Sequence, residues 1–294
     1  MYKKIRSKSA LNKLNSKFLP YNWDLNIYRG CSHRCQYCYA LYSHQYLAND
    51  NAGDNDNFFN DIYIKENIAE LLEKKLSSKR WKREVINLGG VTDSYQSIEA
   101  QEKLMPEILK LLIKYRNPVM IATKSKLILR DLDLWAELAS LTNVSIAVSL
   151  TTFNRNIYSK TEPGSSPPPE RLEVLRQFRQ TKANLGVLAM PILPYLTDSE
   201  ENLSELFSQL SNIPVDYALC GLLNLRGKTR GHFLNFIKEQ FPEYYQNYLS
   251  LYEGSFVNKE YRKEFHQKVY KLKKKYGIKN EYRKPKEEEQ LSLW

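Results

Sequence analysis

Short apolar runs alternate with amphipathic helical stretches over most of this chain, and that alternation constrains its fold more than any other feature. Six runs rich in Val, Ile and Leu read as strands: residues 24–28 (DLNIY), 84–88 (EVINL), 118–123 (PVMIAT), 144–150 (VSIAVSL), 185–193 (LGVLAMPIL) and 215–223 (VDYALCGLL). Their near-continuous apolar character suits strands buried on both faces, as in parallel sheets. Between them lie helical patterns over 36–47, 64–79, 97–116, 132–141, 168–181 and 199–212, most with apolar residues at three- and four-residue spacing. Pro169 and Asp198 look like helix starts, and Met105-Pro106 should kink the helix it interrupts. Six strand-helix units imply parallel pairing through right-handed crossovers. They could form an open doubly wound sheet or an incomplete barrel. No G-x-G-x-x-G or P-loop pattern supports the former. The expectation is therefore an α/β fold, a partial (βα)6 TIM-type barrel over 21–227. A basic segment (1–20) precedes it, and an aromatic-rich, mostly helical extension (228–294) should pack on the barrel or partly close it. Residues 52–58 read as a polar loop and 287–294 as a loosely held tail.

A chain of 294 residues is long for an ordinary domain but suits a barrel built as one unit. It holds no run of eighteen apolar residues, so no membrane span is expected. Its basic start lacks the apolar core of a signal peptide. A reducing, cytoplasmic compartment follows, in which four cysteines do not read as a disulfide framework. The net charge of +11 favours phosphate-rich or otherwise acidic partners. The densest basic runs, 3–17 and 269–286, are equally well explained as solvated helix faces and frayed termini.

Three of the four cysteines, Cys31, Cys35 and Cys38, fall within eight residues in C-x3-C-x2-C spacing. One short loop of this kind can wrap a small metal centre, either zinc or an iron–sulfur cluster. Structural zinc takes four protein ligands, usually as two pairs; here no second pair exists, although His33 or His44 could serve as a fourth ligand. A four-iron cluster held by three thiolates leaves one iron open to another ligand. The cysteines follow the first expected strand, and barrel enzymes place their chemistry on loops after strand ends. Gly89-Gly90, Lys124-Ser125 and Ser149 occupy the corresponding ends of the second, third and fourth strands.

The spacing Cys31-x3-Cys35-x2-Cys38, with Tyr37 directly before the third cysteine, resembles the signature of the radical S-adenosylmethionine (SAM) enzymes. That resemblance implies a [4Fe-4S] cluster on these cysteines, with SAM chelating the open iron. An electron from the reduced cluster, supplied by a donor such as flavodoxin or ferredoxin, then releases a 5′-deoxyadenosyl radical that abstracts hydrogen from a substrate. It also implies a cosubstrate contact at the Gly89-Gly90 backbone; Tyr37, Lys124, Ser125 and Ser149, from their positions, are the further expected cosubstrate contacts, and the polar Thr92, Asp93 and Glu162 are expected near substrate or cofactor. The stretches NIYRGCSHRCQYCYA, GGVTDSYQSIE, IATKSKLILRDLDLWAEL, VSLTTFNRNIYSKTEPGSSPPPERLEVLRQF and VLAMPILPYLTDSEENL look like the spore photoproduct lyase-like subgroup over roughly residues 20–230. Spore photoproduct lyase itself carries a hydrogen-donating cysteine after its second strand, whereas this chain reads Gly89 to Tyr95 without one. Cys220 and Tyr95 are the candidates for that role, and a small buried hydrophobe is the plainer reading of Cys220. A nucleic-acid base, a peptide and a small metabolite are all candidate substrates. If the substrate is nucleic acid, Lys124, Arg130 and Arg226 should face the barrel mouth. A non-catalytic, metal-containing nucleic-acid-binding module is the alternative of a different class. Oligomeric state is not legible.

Overall fold

The computed structural model describes residues 1–17, 19–46 and 56–278. The tail 287–294 and part of the 52–58 loop lie outside the described residues. Ten strands are present among them: β1 (Tyr2–Ile5), β2 (Leu11–Lys13), β3 (Trp23–Leu25), β4 (Tyr28–Arg29), β5 (Ile62–Lys65), β6 (Ile86–Leu88), β7 (Val119–Thr123), β8 (Val144–Ser149), β9 (Asn184–Ile192) and β10 (Tyr217–Leu222). The main sheet runs β10-β9-β8-β7-β6-β3-β2. Its pairings are parallel from β3 through β10, and β2 adds antiparallel to the β3 edge. All six expected strands are therefore present, in chain order across the sheet, the order of a singly wound barrel and not of a doubly wound sheet.

The side-chain register separates a barrel from a doubly wound sheet. Leu25, Leu88, Ile121, Ile146 and Val187 share one face and are all buried. They join a single core with the inner stripes of the flanking helices, including Leu72, Ile108, Trp135, Leu175 and Leu206. A doubly wound sheet would show such a core on both faces. Here the opposite face carries Asp24, Asn87, Met120, Ser145 and Asn184 at one level, then Ala122, Ala147, Gly186 and Tyr217 one pleat further on. Small and polar side chains predominate on this inner face, and the larger Met120, Leu188 and Leu219 are only half-buried. Closed TIM barrels fill their interior with bulky branched residues. This one instead leaves room, and Tyr217 occupies the space that a side chain at Gly186 would need, its hydroxyl 3.1 Å from Ser145 Oγ.

Several expected boundaries shift for identifiable reasons. The 97–116 pattern divides into helices Glu99–Glu102 and Leu104–Tyr115. The break falls at Lys103, which adopts φ 53°, so Pro106 sits in the first turn of the second helix, where proline is tolerated, and does not kink it. Ser199, not Asp198, caps helix Glu200–Ser211 by accepting from Asn202 N at 3.2 Å, whereas Asp198 accepts from Tyr195 N at 2.8 Å. Residues 36–47, expected as an α-helix, contain a 3-10 helix at Tyr39–Tyr46. The N-terminal segment is not frayed: β1 pairs parallel with β5, and β4 completes a small second sheet. These strands have two to four residues, too few for a periodic pattern to register.

The C-terminal helices Gly227–Gln240, Tyr245–Leu251 and Lys259–Lys275 pack on the barrel as expected. Phe233, Phe236, Tyr248 and Tyr252 share one cluster with Leu193, Leu223, Cys35 and Tyr37. The extension thus covers one side of the strand ends that bear the cysteines. No helix among the described residues is long and apolar enough to cross a membrane.

Candidate functional site

The cysteine loop leaves β4 through Gly30, whose φ of +82° and contacts to the Asp61 and Phe58 carbonyls exclude a side chain. Cys31 N donates to Phe58 O at 3.1 Å. The loop is held from three directions. From the loop after β6, Thr92 Oγ1 and Gln96 Nε2 donate to Gly30 O at 2.5 and 3.1 Å, and Ser32 N donates to Gln96 Oε1 at 2.9 Å. From the segment after β8, Gly164 N donates to His33 O at 3.0 Å, and Gln36 N donates to Thr161 O at 2.9 Å. From the C-terminal helix, Thr229 Oγ1 donates to Cys38 O at 2.9 Å.

All three cysteines are free, Cys31 and Cys35 buried and Cys38 partly so. Burial pushes the Cys31 thiol up to about 12 and Cys35 well above the ordinary range, and it also raises Cys38. The charge of Lys124 opposes this at Cys35 and Cys38, and each of the three thiols interacts electrostatically with at least one other. Buried thiols in such a group call for a metal centre, whose charge inverts the local preference and holds them as thiolates. Among the described residues no three His, Cys, Asp or Glu side chains converge on a single ion. Neither histidine considered for a zinc site is placed to complete one. His33 lies between Gly164 O (2.9 Å from Nδ1) and Asp93 Oδ2 (3.0 Å from Nε2), and His44 packs edge-on against Phe58 and Tyr63. Three thiols on one loop match the donor chemistry of an iron–sulfur cluster.

Against this loop stand the ends of β7 and β8. Lys124 lies with its Nζ 5.7 Å from the Tyr37 ring centroid. Burial opposes its charge, but Cys35 and Glu162 more than compensate and raise its pKa. Glu162 is buried, which alone would raise its pKa; Arg171, Lys124 and Tyr37 together bring it below the usual carboxylate range. Its oxygens accept from the Tyr37 hydroxyl and the Arg171 guanidinium. Arg171 also donates to Ser149 O at 2.8 Å and Ser166 O at 2.7 Å. Nothing in the helical pattern of 168–181 distinguishes this fully buried arginine from a surface charge, and sequence reasoning missed it.

The remaining expected residues divide by what they touch. Tyr37 of the cysteine loop faces Lys124, Gly90 O accepts from the Tyr39 hydroxyl just after Cys38, and Ser149 lies in register with Leu188 on the inner face. Asp93 does not present a free carboxylate. It accepts from Thr123 Oγ1 (2.8 Å), Lys124 N (2.9 Å) and Tyr95 N (2.8 Å) and pairs with His33. Burial alone would raise it, but His33 and these donors hold it at about 2. Thr92 is spent on Gly30 and Gln96, and Ser125 caps the 3-10 helix Lys126–Asp131 by accepting from Leu127 N at 3.2 Å. These three, with Glu162, hold the loops through hydrogen bonds.

Two expected catalytic residues are displaced. Tyr95 is 0% exposed, and its hydroxyl donates to Asp131 at 3.0 Å and accepts from Trp135 Nε1 at 2.9 Å. It belongs to the core and not to an accessible redox position. Cys220 is in register with Ala189 on the helix-facing side of β10 and packs against the main core. Burial pushes its thiol up to about 11, opposed by Lys273. Arg130 likewise does not offer a free cation at the mouth, because it is bound to Glu99 and Asp131 at 2.6 and 2.7 Å.

Residues 25–207, more than half of the chain, match the Radical SAM superfamily, and the chain belongs to that superfamily. It is a radical SAM enzyme, and this membership implies a [4Fe-4S] cluster and SAM. An uncharacterized protein of Mycobacterium tuberculosis (strain H37Rv) is 35% identical, covering 99% of this chain and 86% of that protein. One from Methanocaldococcus jannaschii is 28% identical over 83% of this chain and 85% of its own length. The fold is similar to that of spore photoproduct lyase complexed with dinucleoside spore photoproduct, with TM-score 0.65 and 15% identity, covering 94% of this chain and 79% of that one.

Proposed function

We propose that Cys31, Cys35 and Cys38 hold the cluster and that SAM binds between the Gly89-Gly90 turn and Lys124, above the half-open inner face. The observation that carries this reading is the convergence at one set of strand ends. Three neighbouring thiols, two of them buried, stand beside a charged lysine, a tyrosine and a two-glycine turn. When bound, the cluster and SAM supply one-electron cleavage of a sulfonium and a carbon radical able to take a hydrogen atom. The chain's residues do the rest. Lys124, kept charged by Cys35 and Glu162, suits a carboxylate partner. Ser149 lies on the inner row within the same rim. Arg171 and Asp93 hold the loops in place, and the Phe233–Tyr252 cluster shields the cysteine loop from water. Anaerobic reconstitution should load about four irons and four sulfides per chain, and dithionite should then convert SAM to 5′-deoxyadenosine. Stoichiometric zinc, or iron-loaded protein that leaves SAM intact, would sink the assignment.

For the substrate we favour a nucleic-acid base. The inner face offers small and polar side chains suited to a planar polar group. Outside it, past the end of β10, Arg226 and Arg262 lie 4.6 and 5.4 Å from the ring of Phe256, which is 43% exposed. Among the described residues neither guanidinium has an acidic partner within ion-pair distance. An aromatic ring that spaces two cations suits a phosphodiester strand.

A further inference from the structure

We infer that Asp24, together with Asn26, orients the Gly89–Val91 turn and so sets the affinity for SAM. The inference rests on the proposed placement of the cosubstrate at that turn. Asp24 lies on β3, one strand away from the turn, and neither it nor Asn26 belongs to the cysteine motif. Its Oδ1 accepts from Gly90 N at 3.1 Å and from Asn87 Nδ2 at 2.8 Å, and its Oδ2 accepts from Asn26 Nδ2 at 2.5 Å. Asn26 Oδ1 in turn accepts from Val91 N at 3.0 Å. Two consecutive amides of the turn are therefore held by two side chains of one strand end. Lys65 fixes the far side by donating to Asn26 O at 2.6 Å.

The turn is held on its other side too. Gly89 N donates to Leu25 O at 2.9 Å, and the Tyr39 hydroxyl, directly after Cys38, donates to Gly90 O. Gly90 has no special φ, but a Cβ there would collide with both Asp24 oxygens and displace the carboxylate. The carboxylate thus lies flat beneath the turn. All three neighbours of Asp24 are donors, so only an acceptor-only group satisfies them. A buried amide left facing another amide is costly. The arrangement links the barrel strand, the glycine turn and the cysteine loop into one rigid unit, which is how a site holds a ligand in a single pose.

The polarity can be tested by exchange. In Asp24→Asn the new Nδ2 faces Asn26 Nδ2, donor against donor. The double variant Asp24→Asn/Asn26→Asp swaps the two groups. The amide oxygen introduced at position 24 then still accepts from Gly90 and Asn87, and the amide nitrogen beside it donates to the carboxylate introduced at position 26. That carboxylate still accepts from Val91 N. Each protein would be reconstituted anaerobically, its iron measured, and SAM binding followed by equilibrium dialysis and by the change SAM causes in the reduced cluster's electron paramagnetic resonance signal. Asp24→Asn should weaken SAM about tenfold or more at native iron content. The exchange should recover affinity to within about threefold. If Asp24→Asn does not retain iron, the exchange variant decides alone: native affinity upholds the inference and weak binding overturns it. Native affinity in Asp24→Asn, or an exchange variant as weak as the single one, also overturns it. If SAM binding to native protein is absent, the cosubstrate reading itself fails. Normal binding that Lys124→Met weakens but Asp24→Asn does not leaves that reading intact and removes only the role of Asp24.

Discussion

Arg171 and Glu162 form an ion pair with side chains only 1% and 2% exposed, and it bridges the segment after β8 to the helix that follows. Removing one partner of a buried pair strands the other, at about 3–5 kcal/mol. Arg171→Met should therefore strongly lower the denaturation midpoint. Arg171→Met/Glu162→Gln, which removes both members of the pair and leaves Lys124 with Cys35 as its charge partner, should recover part of the loss. Urea unfolding of the three proteins would show it; equal midpoints for native protein and Arg171→Met would disprove the pairing's importance.

Serine at Cys31, Cys35 or Cys38 should abolish retention of iron and sulfide, while Cys220→Ala should bind both and cleave SAM at the native rate. The contrast follows from the placement of Cys220 on the helix-facing side of β10. Visible absorption and iron analysis after reconstitution would settle both halves.

Gly164 touches the cysteine loop so closely that a Cβ would collide with the Ser32 carbonyl and meet His33 Cα at 3.0 Å. Backbone cannot yield there cheaply. Gly164→Ala should lose about 1–3 kcal/mol of stability and release iron faster to a chelator. An unchanged rate of iron loss would mean that the contact is incidental to the cluster.

Lys65 gives a pH signature away from the cysteines. Burial, with Arg29 adding repulsion and Asp24 opposing both, lowers its pKa to about 8. The unfolded lysine titrates near 10.4, so between these values the unfolded chain binds the extra proton. Stability should therefore rise with pH from about 8 to about 10.4, by a few kcal/mol at most at ~1.4 kcal/mol per unit. Below pH 8 the cost of the buried charge is present in full. Lys65→Met should flatten this slope in chemical denaturation across that range; a slope that survives the substitution must come from other groups.

If the Arg226–Phe256–Arg262 arrangement engages a single strand, replacing both arginines with alanine should reduce the slope of log affinity against log salt by about 1.4, ~0.7 for each lost phosphate contact. Iron content and SAM cleavage should not change. Fluorescence anisotropy with a short oligonucleotide over a salt series would measure it, and an unaltered slope would point to a peptide or metabolite.

The six strands, the helices between them and the cysteine loop were legible because each depends on local order: contiguous apolar runs, three- and four-residue spacing, and three thiols in eight residues. The side of the sheet on which the helices lie was decided only by tertiary packing, which gathers Leu25, Leu88, Ile121, Ile146 and Val187 on one face and leaves the other open. The same holds for the polar residues. Thr92, Asp93 and Glu162 look in sequence like ligands, yet their hydrogen bonds go to Gly30, to Lys124 N and to Arg171. Arg171 and Asp24 look like an ordinary helix charge and an ordinary strand-start residue, yet they hold the loops around the site. A side chain's type is written in the sequence, but its partners are set by chain segments tens of residues distant. Burial then makes each unmatched donor or charge costly enough that only one arrangement satisfies them all.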